Sequence, residues 1–256
     1  MKQILKKALM LASAFLAASF SLVAQDETYL VLHYTFDDVD GDIVKDASVS
    51  GIDARLMGGA SIDNLGGLKV LKLGSETAYL DMTPAAGELL GSLGDFTVSV
   101  YYRSNVNPRF PGYGYFVWMF STEEACGPND GRYFAYRINE QRVETSIGGY
   151  NHESIIMKGE KSETERWIHV LYTQKSGNGV LYINGKKVGE NTQMPVMKVN
   201  FQDQKLAFNW LGRPAFKGDN YLHHSYIADF RIYECSLDSD QVERLAANVA
   251  VLNSLE

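Results

Sequence analysis

Apolar positions along this chain recur in short runs rather than at helical spacing. Runs at 29–36, 69–73, 96–103, 115–121, 133–138, 142–147, 167–174, 179–183, 186–188, 205–211 and 225–233 are rich in β-branched and aromatic residues, with Gly, Asn and Asp clusters between them. That density of strands and turn signals predicts an all-β antiparallel sandwich or barrel. In one run Phe96, Val98, Val100 and Tyr102 share a face, while Thr97, Ser99, Tyr101 and Arg103 share the other. Asn184-Gly185 supplies the positive backbone angles of a two-residue hairpin turn. No long helical period is found between 26 and 233. Beyond it the period changes: Asp238 stands three residues before Gln241, and Val242, Leu245, Ala246, Val249 and Leu252 follow at helical spacing. One short C-terminal helix is expected. With no linker, low-complexity tract or repeat, residues 25–256 read as one domain.

The first residues alter how the charge is counted. A basic head with Lys2, Lys6 and Lys7 precedes an apolar, small-residue run from Ala8 to Ala24, the pattern of a secretory signal peptide over 1–24. The whole chain has net charge −7; without the leader, 21 basic residues face 31 acidic ones, a net of −10. Such a surface excludes a basic wrapper of nucleic acid. No second run approaches the roughly 18 apolar residues of a spanning helix. The expected compartment is outside the inner membrane: periplasmic, cell-surface or extracellular. Cys126 and Cys235 allow one disulfide there, with two buried thiols as the alternative.

Five blocks, in order, carry a family resemblance. Leu32-His33-Tyr34-Thr35-Phe36-Asp37-Asp38 with Gly41, Val44, Asp46 and Ser48 opens the series. Asp95-Phe96-Thr97-Val98-Ser99-Val100-Tyr101, Arg166-Trp167-Ile168-His169-Val170 and Leu181-Tyr182-Ile183-Asn184-Gly185-Lys186 follow, and Ile227-Ala228-Asp229-Phe230-Arg231-Ile232-Tyr233 with Leu237 closes it. Together they resemble secreted bacterial laminin-G-like, concanavalin A-like domains. Val49 departs from the pattern where Gly is usual, and Ala228 where Asp is usual. The resemblance implies a two-sheet antiparallel jelly roll, often a carbohydrate-binding or accessory module beside glycoside hydrolases. It also implies one structural Ca²⁺ where the first and last strands meet, with Asp37, Asp38, Asp46 and Asp229 as candidate ligands.

The residues themselves point away from catalysis. A glycosidase sets two carboxylates across the scissile bond, and the predicted strands show Glu144 alone and Asp229 alone. Asp38, Asp40 and Asp42 alternate but fall in a turn around Gly41, and the adjacent His223 and His224 read as surface polar residues. Sugars stack their C–H faces on aromatic rings, and a sandwich carries binding groups on its loops. Tyr113, Tyr115 and Tyr150 beside glycines are candidate tips. Trp210 divides evenly between exposed platform and core, and Trp118 and Trp167 read as core. The expected function is non-catalytic recognition of a neutral glycan, without an organic cofactor. The alternatives are a glycan-cleaving hydrolase with an unrecognised site and a protein-binding module.

Overall fold

The computed structural model describes residues 27–106 and 114–254; the expected signal peptide over 1–24 and Tyr113 lie outside them. With strands numbered in chain order, one sheet runs β15 (Lys186–Asn191), β14 (Asn178–Ile183), β13 (Trp167–Lys175), β8 (Phe96–Ser104), β17 (Ser225–Tyr233), β6 (Leu68–Leu73) and β5 (Ser61–Leu65), with β1 (Leu30–Tyr34) also pairing β17. The other runs β12 (Glu153–Met157), β11 (Arg142–Ser146), β10 (Tyr133–Arg137), β9 (Phe116–Ser121), β16 (Phe208–Leu211), β7 (Tyr79–Asp81), β4 (Ala54–Met57), β3 (Ile43–Val44) and β2 (Val39–Asp40). All these pairings are antiparallel, and the two sheets form a jelly-roll sandwich.

Alternation builds the core. Phe96, Val98, Val100 and Tyr102 point inward together, meeting Trp118, Phe134 and Tyr136 from the opposite sheet. The Trp118 ring stacks 5.1 Å from Tyr136, and both rings are fully buried. The other face of β8 is not a wet polar face: Thr97, Ser99 and Tyr101 are fully buried as well. Two helices cover that side, α3 (Ser239–Ala246) and α4 (Asn248–Leu252), with Val242, Leu245 and Leu252 turned toward the sheet. Asp238 and Gln241 form the anticipated capping box.

Asn184 (φ +50°) and Gly185 (φ +75°) make the expected turn. Asn184 is also tied to β13, exchanging backbone and side-chain bonds with His169, each 2.8 Å. Two helices escape the periodicity. Helix α1 (Thr83–Ser92) contains Pro84, Gly87 and Gly91, which weaken any helical pattern. Gly87 is required by packing, since a Cβ there would lie 2.0 Å from the Leu206 carbonyl. Helix α2 (Met197–Asn200) is a single turn.

In β17 the register slips between Ala228 and Arg231, and Asp229 takes φ +52°. This bulge turns Asp229 and Arg231 outward beneath the C-terminal helices, where Asp229 meets His33 Nε2 at 2.6 Å and Arg231 Nε at 2.8 Å. Cys126 and Cys235 are not bonded to each other: Cys126 packs with Phe116 and Tyr133 outside one sheet, and Cys235 beside Leu237 outside the other. The disulfide reading is therefore corrected, because the sandwich stands between the two thiols.

Candidate ligand-binding face

On the outer face of the nine-stranded sheet, period-2 alternation collects charge. Arg137 stands opposite Arg142, Ala135 opposite Glu144, and Ser146 opposite Glu153. Two arginines so placed would repel without acids between them. Arg142 reaches Glu144 through Nε at 2.5 Å and Glu153 through Nη2 at 2.9 Å, while Arg137 binds Glu140 at 2.7 Å. The Tyr133 hydroxyl donates to Glu153. Burial, with Glu144 adding repulsion, pushes the Glu153 carboxyl up to about 7. Burial likewise pushes Asp219 up to about 6, against the Gly114 N–H that bonds it at 3.0 Å.

Glu144 is thus not alone on its face. Its partner Glu153 comes from the next strand, across the hairpin at Gly148-Gly149, and a search along single strands misses it. The pair does not have the character of a hydrolytic site. Glu144 is 1% exposed, and both carboxylates share one guanidinium. A second arrangement, Ser99 Oγ at 2.8 Å from His169 Nε2, imitates a nucleophile and base. Both are fully buried, and burial holds the imidazole neutral, down to about 3. No substrate reaches it.

Three loops interlock over and beside the charged face. Cys126 N–H bonds the Ala215 carbonyl at 2.7 Å, and Asn220 N–H bonds Gly114 at 3.1 Å. The β11–β12 tip docks through Gly149 N–H to Gly131 (2.6 Å), Tyr150 N–H to Gly127 (3.1 Å) and Asn151 N–H to Pro128 (2.9 Å). Gly149, at φ +76°, leaves no room for a side chain: a Cβ would meet Asn129 N at 2.5 Å. The result is a stiff platform that displays Tyr150, 50% exposed, beside the paired amides of Asn129 and Asn151 (3.2 Å).

The other sequence candidates separate. Tyr115 is partly buried against the core, its ring edge-on to His223 at 5.8 Å. Trp210 is 3% exposed, because the Arg213 guanidinium lies 3.9 Å over its ring and Tyr79 closes one side. It is a covered aromatic, and the platform reading is corrected. The acids do not converge on a cation. Asp37 and Asp38 are exposed. Asp46 spends both oxygens on the N–H groups of His33, Ser48 and Ile52 and the Ser48 hydroxyl. Asp229 gives Oδ1 to both His33 and Arg231, while its buried Oδ2 has no partner among the described residues. Among the described residues no three His, Cys, Asp or Glu side chains form a group able to hold a metal ion, so the proposed Ca²⁺ ligands do not fit one ion.

A family model described as concanavalin A-like lectin/glucanases superfamily matches residues 74–243. Solved structures share the fold at low identity. Domain 4 of AbnA, an extracellular arabinanase from Geobacillus stearothermophilus, in complex with arabinotriose, is 19% identical with TM-score 0.65, covering 85% of this chain and 98% of that one. The binding domain of botulinum neurotoxin DC, in complex with rat synaptotagmin II, is 16% identical with TM-score 0.60, over 90% of this chain and 52% of that one. A Trypanosoma rangeli sialidase mutant displaying trans-sialidase activity is 15% identical with TM-score 0.59, over 88% and 34%. This chain therefore spans about half of the toxin domain and a third of the sialidase. No curated protein matches.

Proposed function

Because this chain belongs to the concanavalin A-like lectin/glucanases superfamily, we propose that it is an exported, non-catalytic glycan-binding protein that meets its ligand at the Tyr150 tip. One observation carries the reading: an exposed ring on a loop fixed by three backbone hydrogen bonds, with two amide side chains at its edge. A stiff aromatic surface loses little entropy on binding, and adjacent amides can both donate to and accept from sugar hydroxyls. Glu144 and Glu153 are tied to Arg142, which argues for binding rather than cleavage. The net charge of −10 without residues 1–24 disfavours acidic polymers and leaves neutral glycans. The arabinanase domain offers a precedent for this fold beside a sugar.

The test is a panel of neutral oligosaccharides with wild-type protein and Tyr150→Ala. The variant should keep its melting temperature and lose roughly tenfold or more in affinity, about 1.4 kcal/mol. Unchanged affinity would move the site elsewhere. Reducing-end release by the wild type, abolished in Glu153→Gln, would overturn the non-catalytic reading. Mass spectrometry of the exported protein should find a chain beginning near Gln25; retention of residues 1–20 would defeat the export assignment.

A further inference from the structure

The two flanks of the sandwich differ. On one flank β12 and β15 meet: the Asn191 amide donates to the Ile155 carbonyl at 3.4 Å, and a Cβ on Gly189 would touch Ile156 at 2.8 Å. Strand β15 is further guarded by a register shift in its pairing and by Lys186, Lys187 and Glu190. On the other flank the edge strands are β2 and β5, and they leave a cleft of about 500 Å³ between the sheets. Strand β5 pairs β6 over five residues in unbroken register, without a bulge. An edge of this kind offers unpaired N–H and C=O groups to an added strand. The pairing of Leu65 with Leu68 across the turn directs the Ser61 and Asp63 backbone groups to β6, and Asn64 N–H is taken by the Asp63 carboxylate at 2.8 Å, so the free pair at this edge is the N–H and C=O of Ile62.

The chemistry of the cleft selects its occupant. Its floor is aliphatic, formed by Val39, Leu56 and Ile62, which are partly buried against the core. Phe36, its aromatic lining residue, is fully buried, so the cleft lacks an exposed ring for a sugar. The rim is acidic: Asp37 lines it, and Asp38 and Asp40 stand exposed beside it. Two neighbouring cations are already engaged, Lys45 with Asp53 at 2.7 Å and Arg55 with Asp42 at 2.5 Å. Lys69 on the opposite wall can donate to a peptide carbonyl.

We propose that this cleft binds an extended peptide segment of a partner protein, which pairs with the β5 edge at Ile62 and turns both aliphatic and basic side chains into the cleft. Of its inward side chains, an aliphatic one lies over Leu56 and Ile62 and a basic one two positions away meets Asp37. The site is separate from the Tyr150 tip and does not depend on glycan binding.

A displayed library of random dodecapeptides, selected on the protein without residues 1–24 and counter-selected on Leu56→Arg, tests this. Enriched peptides should carry an aliphatic and a basic residue two positions apart and bind roughly tenfold or more weakly to Leu56→Arg. Since Leu56 is partly buried, the exposed variant Asp37→Lys provides a second reading and should weaken them to a similar degree with an unchanged melting temperature. N-methylating the peptide backbone at alternate positions should abolish binding in one of the two registers. Failure to enrich any peptide, equal binding to both variants, or indifference to N-methylation in both registers overturns the proposal. So does loss of oligosaccharide affinity in Leu56→Arg, which would give the cleft to a glycan.

Discussion

Removing Arg142 would leave Glu144, 1% exposed, and Glu153 without their shared cation. Arg142→Ala should cost about 3–5 kcal/mol at neutral pH, the range for breaking a buried pair from one side. The loss should shrink in acid, where the carboxyls take protons; urea unfolding at two pH values would show it, and an equal loss at both would refute it. Glu153 has its own signature. Folded, it holds a proton up to about 7, whereas an unfolded glutamate titrates near about 4.3. The folded state thus binds more protons across that window, and stability falls as pH rises through it. Glu153→Gln should flatten the slope. Asp219 acts in the same direction up to about 6. Glu144 was visible in the sequence, but its ties to Arg142 and Glu153 required the strand geometry and the hairpin register.

Among elements, the interlocked tips depend on one backbone position. Gly149→Ala places a Cβ against Asn129 N at 2.5 Å, in a conformation that L side chains avoid. We expect the β11–β12 tip to lift from the 127–131 loop, with faster amide exchange at Tyr150 and Asn151 and weaker glycan binding. Normal protection there would show that the dock tolerates a side chain. At the C-terminus, Asp238→Ala removes a capping-box acceptor and should cost about 1 kcal/mol in denaturant titration. The capping box and the 184–185 turn were legible because their signals are local. Helix α1 was not, because its glycines answer to Phe201, Leu206 and Asn209, more than a hundred positions along the chain.

Across the whole molecule the two sheets face different surroundings. The eight-stranded sheet is sealed by the C-terminal helices over Asp229, Arg231 and His33. Burial alone would raise the Asp229 carboxyl, but Arg231 and His33 hold it well below the usual range. Its contribution is therefore complete above the unfolded carboxyl near about 3.9 and is lost as pH falls below it. Acid titration of Asp229→Asn should lack that component. Since the four candidate acids do not converge, Ca²⁺ and a chelator should give the same melting temperature; a rise with Ca²⁺ would reveal an ion bound to the native state.

By itself the sequence determined the all-β class, the main strands, the inward face of β8, the Asn184-Gly185 turn and the C-terminal cap. Each is written in residues within about ten positions of one another, as alternation, turn chemistry or a cap. Tertiary structure alone decided which side chains meet across strands and loops. It set Glu153 beside Glu144, Arg213 over Trp210, and Cys126 away from Cys235. It left Tyr150 exposed and Tyr115 half-buried, and it closed one flank while opening the other. Pairing register and loop docking join residues far apart in the chain, and the period of a strand carries no information about its neighbour.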